Sequence, residues 1–100
     1  MDRYSVKLLS MAYKNLDEIY EYISEELLSE QSAENLIDDL EEAILSLETM
    51  PNRGAKRRNG IFANKGYRQI FVRNFIIVYR VDDENKEVVV VTVKYSKSGF

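Results

Sequence analysis

Neither cysteine nor histidine occurs among the 100 residues. Without cysteine there is no disulfide, no thiolate nucleophile and no cysteine-type zinc site. Without histidine the commonest acid/base near neutral pH and the commonest transition-metal ligand are also missing. A Ser-His-Asp or Cys-His catalytic set is therefore excluded, and any catalysis rests on Lys, Arg, Tyr, Asp or Glu. Magnesium or calcium is the one metal class left open. Long hydrophobic runs are lacking too. The longest, "EVVVVTV", is far too short to span a bilayer, and "MDRYSVKLLS" at the amino terminus has neither an apolar targeting core nor a small-residue cleavage site, so a cytoplasmic protein is expected.

What is present describes one globular domain over residues 1–100, 45% hydrophobic and 31% charged, which buries roughly 60 to 70% of its unfolded surface. The net charge of -3 conceals a segregation. Residues 1–50 hold three Lys or Arg against thirteen Asp or Glu, residues 51–80 hold eight against none, and residues 81–100 hold three against four. The basic block opens with "PNRGAKRRNG", residues 51–60, which contains the only proline and two of the four glycines. Partners are better read from these blocks than from the overall acidity.

In "RYSVKLLS", Tyr4, Val6 and Leu8 alternate with polar or mixed positions, as in a short strand with one buried face. From about residue 12 to 28, Tyr13, Leu16, Tyr20, Ile23 and Leu27 recur at steps of three and four and predict an amphipathic helix. After the break "SEQS", Ser32 is a candidate N-cap for a second helix carrying Ala33, Leu36, Ile37, Leu40, Ala43, Ile44 and Leu47, ended by Pro51 and Gly54. "GYRQIFV", "NFIIVYRV" and "EVVVVTVKY" predict three consecutive antiparallel strands, turning at Arg73-Asn74 and at "DDENK". The expected fold is α+β: an N-terminal strand, a two-helix antiparallel hairpin and a three-stranded antiparallel meander, with the helices on one face of the sheet.

Period-two reasoning groups Val89, Val91, Val93 and Tyr95 with Phe75, Ile77, Tyr79 and Val81 and with Tyr67, Gln69 and Phe71. If the helices cover this set, Arg68, Arg80 and Lys94 share the opposite face.

The stretch 13–54 and the stretch 65–98 together resemble the RelE/ParE superfamily of toxins from type II toxin-antitoxin modules. The resemblance rests on the helix ending at Pro51 with Gly54 beyond it, "GYR" at 66–68, "NFIIVYRVD" at 74–82 and the valine-rich last strand. It implies a cytoplasmic bacterial toxin of the plasmid-stabilization kind, without cofactor or metal, that inhibits growth and is neutralised by a cognate antitoxin. RelE-like members cleave messenger RNA on the ribosome, using a basic sheet face and often a carboxyl-terminal Tyr or His. ParE-like members poison DNA gyrase. Arg68 matches one basic position of the nuclease set, but Ile70 and Ile76 stand where the set has basic residues, and the residues after Tyr95 do not supply a helix bearing the tyrosine. The resemblance therefore favours the ParE-like branch, with DNA gyrase as target. A metal-independent endoribonuclease and an interaction domain that has lost toxicity are the alternatives.

Metal-free RNA cleavage needs a base, an acid and cations on the scissile phosphate. Arg68, Arg80 and Lys94 would be the clamp if the chain is RelE-like; as ordinary solvated strand residues they need no such role. Arg53, Lys56, Arg57, Arg58, Lys65, Arg73 and Lys97 are candidates for binding the target or the antitoxin through an acidic surface or RNA. Glu18, Glu21 and Glu25 read as a solvated helix face, "DDENK" as a hairpin turn rather than a calcium loop, and Tyr13 and Tyr20 as core and rim residues.

Overall fold

A computed structural model describes residues 3–58, 60–63 and 65–97. The elements are β1 (Ser5–Leu8), α1 (Ser10–Glu26), α2 (Glu30–Leu45) followed by a 3-10 turn (Ser46–Glu48), then β2 (Ala55–Lys56), β3 (Arg68–Val72), β4 (Phe75–Asp82) and β5 (Glu87–Tyr95). They form an α+β fold with one five-stranded sheet in the order β1-β5-β4-β3-β2. The meander β3-β4-β5 is antiparallel as expected, while β1 lies parallel to β5, with Val6 beside Val88. The two-residue β2 is an addition: part of the basic stretch pairs with β3, Lys56 opposite Arg68.

Both helices follow their apolar period. Ala12, Leu36, Leu40, Ile44 and Leu47 are buried against Ile70, Ile77, Tyr79, Val88, Val90 and Val93. The helices cover Phe75, Ile77, Tyr79 and Val81 of β4, as read from the sequence. Two other strands are corrected. On β3 the buried residue is Ile70, while Phe71 is 61% exposed, so Arg68, Ile70 and Val72 stand on the helix side. On β5 the register skips Val91, since Tyr79 pairs with Val90 and Val78 with Thr92. This bulge puts Val88 and Val90 on the helix side before it and Val93 after it, and moves Val89 to the far face.

The bulge sits where β1 ends. Leu9 still donates its N–H to the Val90 carbonyl at 3.0 Å, and α1 begins at the next residue, so among the described residues no strand continues along the outer edge of β5 beyond Val90. Asn15 of α1 fills that role: its Oδ1 accepts from the Val93 N–H at 3.1 Å and from the Thr92 hydroxyl at 2.6 Å. A buried edge is thereby satisfied by one side chain.

The link between the helices is equally compressed. Leu28 has φ 49, and the Ser29 N–H donates to the Ser24 carbonyl at 3.2 Å, closing a Schellman turn. Ser29 is at once the N-cap of α2, its Oγ accepting from the Ser32 N–H at 3.1 Å. The cap is thus Ser29 and not Ser32, because only the residue with extended backbone (φ -142, ψ 105) can aim its side chain at the open N–H groups. A leucine in the left-handed region costs about 1 kcal/mol, which glycine would avoid.

Candidate functional site

The basic stretch is anchored by three residues whose polar groups meet. Gly54 donates its N–H to the Tyr79 hydroxyl at 2.9 Å, and its carbonyl accepts from Arg68 Nη1 at 2.6 Å. Arg68 and Tyr79 are cross-strand partners, so two adjacent strands present one acceptor and one donor to the same residue. A side chain at position 54 is excluded by space: a Cβ would lie 2.5 Å from the Gln69 carbonyl oxygen and 2.7 Å from the Tyr79 hydroxyl. Burial raises the Tyr79 phenol above its ordinary value of 10.0, against the opposing effects of the Gly54 N–H and of the Arg68 and Arg53 charges.

Around this anchor the candidate binding residues separate into groups. Arg53 is exposed and donates to Ser46 Oγ at 2.7 Å, Lys56 is exposed opposite Arg68, and Arg58 and Lys65 are exposed. Lys56 and Arg68 stand directly across the sheet from each other, an unfavourable placing of like charges that the turn of Arg68 toward the Gly54 carbonyl relieves. Arg57 turns to the other side: it is 8% exposed, its Nη1 donates to Gln69 Oε1 at 2.5 Å and its N–H to the Tyr67 carbonyl at 2.8 Å. Arg73 lies at the opposite end of β3, where its Nη2 meets Asp39 Oδ2 at 2.5 Å, and Lys97 is exposed past β5.

The three candidate catalytic residues do not share a face. Arg80 pairs with Val89 and Lys94 with Ile76, both on the face away from the helices, whereas Arg68 stands beside Tyr79 on the helix side. Ile76 and Arg80 are four positions apart, so the backbones of Lys94 and Arg80 are separated by roughly 13 Å at about 3.3 Å per residue. Arg68 is turned into the loop, not out to a phosphate. Among the described residues no group of three or more Asp or Glu is placed to hold a metal ion. "DDENK" is a hairpin turn, Asp82 accepting from the Asn85 backbone N–H at 3.2 Å and from its Nδ2 at 2.8 Å; these bonds lower its pKa.

Tyr79 and Asn15 are polar residues that sequence periodicity does not single out. Tyr79 is hidden among core residues of its own strand face, and Asn15 looks like any polar helix position. Gly54, read from the sequence as ending a helix, is a glycine without positive φ and marks a close approach rather than a turn, which only the structure shows. Several clefts border the helices. One of about 580 Å³ lies between α1 and the ends of β4 and β5, lined by Tyr22, Ile23, Phe75 and Tyr95 among others, and one of about 380 Å³ runs between α1 and α2 past Tyr13, Leu16, Tyr20 and Ile37. No described helix is long and apolar enough to cross a membrane.

The comparisons agree with this architecture. No curated protein matches the sequence. A chain of the chromosomal ParDE toxin-antitoxin system of P. aeruginosa superposes with a TM-score of 0.78 at 24% identity, over 95% of this chain and 98% of that one. A chain of the toxin-antitoxin complex RelBE2 of Mycobacterium tuberculosis gives 0.68 at 22% identity, covering 95% and 93%. A mutant of the E. coli toxin RelE in the free state gives 0.65 at 18% identity, covering 95% and 85%. At these identities the likeness is one of fold. The sequence itself decides further: residues 6–98 match the model of the ParE toxin of the type II toxin-antitoxin system parDE, and the chain belongs to that family.

Proposed function

We propose that this toxin stops growth by binding an essential protein, with DNA gyrase as the target, and not by cutting RNA. The observation that carries this reading is the placement of Arg68: it donates to the Gly54 carbonyl on the helix side, while Arg80 and Lys94 occupy the far face. A metal-free nuclease needs its cations converging on one phosphate and a base within hydrogen-bond reach of the attacking hydroxyl. With Arg68 diverted, Arg80 and Lys94 are what remains of that clamp on the far face, their backbones roughly 13 Å apart. The matched family and the cognate pairs named in the ParDE and RelBE2 structures support the partner half of the reading: an antitoxin holds the toxin inactive. The basic edge formed by Arg53, Lys56 and Arg58 is the surface for an acidic antitoxin segment that orders as it binds.

The test is to express the chain alone and follow plasmid supercoiling and protein synthesis in the same culture. Supercoiling is expected to fail first, with gyrase trapped on cleaved DNA. Early loss of translation, with messenger RNA cut in the ribosomal A-site and the cuts abolished in Lys94→Ala, would establish the nuclease reading instead. Normal growth would identify a chain whose toxicity has been lost.

A further inference from the structure

The α1–α2 link carries a leucine where the Schellman turn asks only for a left-handed backbone, so its side chain serves nothing in the fold. Leu28 occupies the left-handed position closing α1, where glycine is the ordinary residue, and it is 91% exposed; Leu27 beside it is 60% exposed. A left-handed leucine is strained, and one that buries almost nothing is not compensated by packing. Around this apolar tip stand the exposed Glu25, Glu26 and Glu30. Residues 15–52 contain twelve acids and no Lys or Arg. Arg73, across the groove that Leu27 lines, is engaged by Asp39.

We propose that Leu27 and Leu28 form a docking knob that enters an apolar pocket rimmed by Lys and Arg on the protein the toxin inhibits. This rests on the binding-toxin reading above and adds the place and chemistry of the contact. Charge selects the occupant. An acidic antitoxin segment drawn to Arg53, Lys56 and Arg58 is repelled by the hairpin, and so is an anionic membrane surface, whereas a basic-rimmed pocket is attracted to it. The knob and the basic edge thus take partners of opposite charge.

The experiment exploits the backbone. Leu28→Gly and Leu28→Asn both suit a left-handed residue, so each folds with a melting temperature equal to or above that of the wild type. Each is expected to weaken growth arrest at equal abundance at least tenfold, as loss of a central apolar anchor does, while still forming the complex with co-expressed antitoxin. Unchanged arrest by both variants would overturn the knob. So would loss of antitoxin binding, or of self-association in sedimentation, with toxicity intact, since the knob would then belong to another contact. A wild-type chain without effect on growth removes the binding-toxin reading and the knob's assigned partner together, an outcome distinct from an active wild type with equally active variants.

Discussion

Tyr79 and Gly54 fix the start of the basic edge through one hydrogen bond and one contact too close for any side chain. Tyr79→Phe leaves the buried Gly54 N–H without its acceptor and is expected to lower stability by about 1–2 kcal/mol in urea unfolding. Gly54→Ala should cost more, because its Cβ forces both the loop and the strand to move. The same phenol gives a pH signature. Burial raises its pKa above 10.0, so the folded state favours the neutral form; that contribution is complete below pH 10 and is lost as pH rises through the higher folded value. Melting temperature should therefore fall on the alkaline side of pH 10, and less steeply in Tyr79→Phe. The exposed Tyr4, raised by its hydrogen bond to Asp83, acts in the same direction and remains in the variant as a control. Arg68→Ala separates structural from catalytic roles at this scale. Losing its bond to the Gly54 carbonyl should cost roughly 0.5–1.5 kcal/mol while gyrase inhibition persists; loss of activity with stability unchanged would contradict the structural role.

At the level of elements, side chains stand in for missing backbone. Asn15 completes the edge of β5 where β1 stops, so Asn15→Leu should destabilise the domain by about 1–3 kcal/mol and speed hydrogen exchange at Val93. Exchange at Val93 as slow as in the wild type would show that the edge is closed by something else. Helices and meander were legible in the sequence because Leu36, Leu40 and Ile44, and Phe75, Ile77 and Tyr79, keep one period through their elements. The faces of β3 and β5 were not. Ile70 and Phe71 are adjacent and both apolar, and four valines in a row at 88–91 carry no alternation, so neither the face of β3 nor the bulge at Val91 leaves a mark. The expected common face of Arg68, Arg80 and Lys94 is lost for the same reason: it required the register of β3, which depends on tertiary packing. The parallel partner of β1 and the pairing of Ala55–Lys56 are long-range choices that local patterns do not encode.

Over the whole molecule, charge divides along the chain and the fold keeps the two signs on different parts: an anionic helical hairpin, and a sheet edge from Arg53 to Arg68 without an acid in sequence between them. Among the described residues, Arg73 with Asp39 joins hairpin to sheet, and Lys7 with Glu87 lies within the sheet. Exposed charges of this kind act over about 10 Å at 0.1 M salt. Affinity for the antitoxin should accordingly fall as salt is raised, and fall less in Arg53→Ala/Lys56→Ala; a salt-independent complex would remove the basic edge as the docking surface. The central claim, inhibition by binding gyrase, is tested most directly by titrating the purified toxin into a gyrase supercoiling reaction. The expected result is loss of supercoiling with trapped cleavage complexes, reversed by prior addition of antitoxin. Full supercoiling at a large molar excess of folded toxin would contradict it.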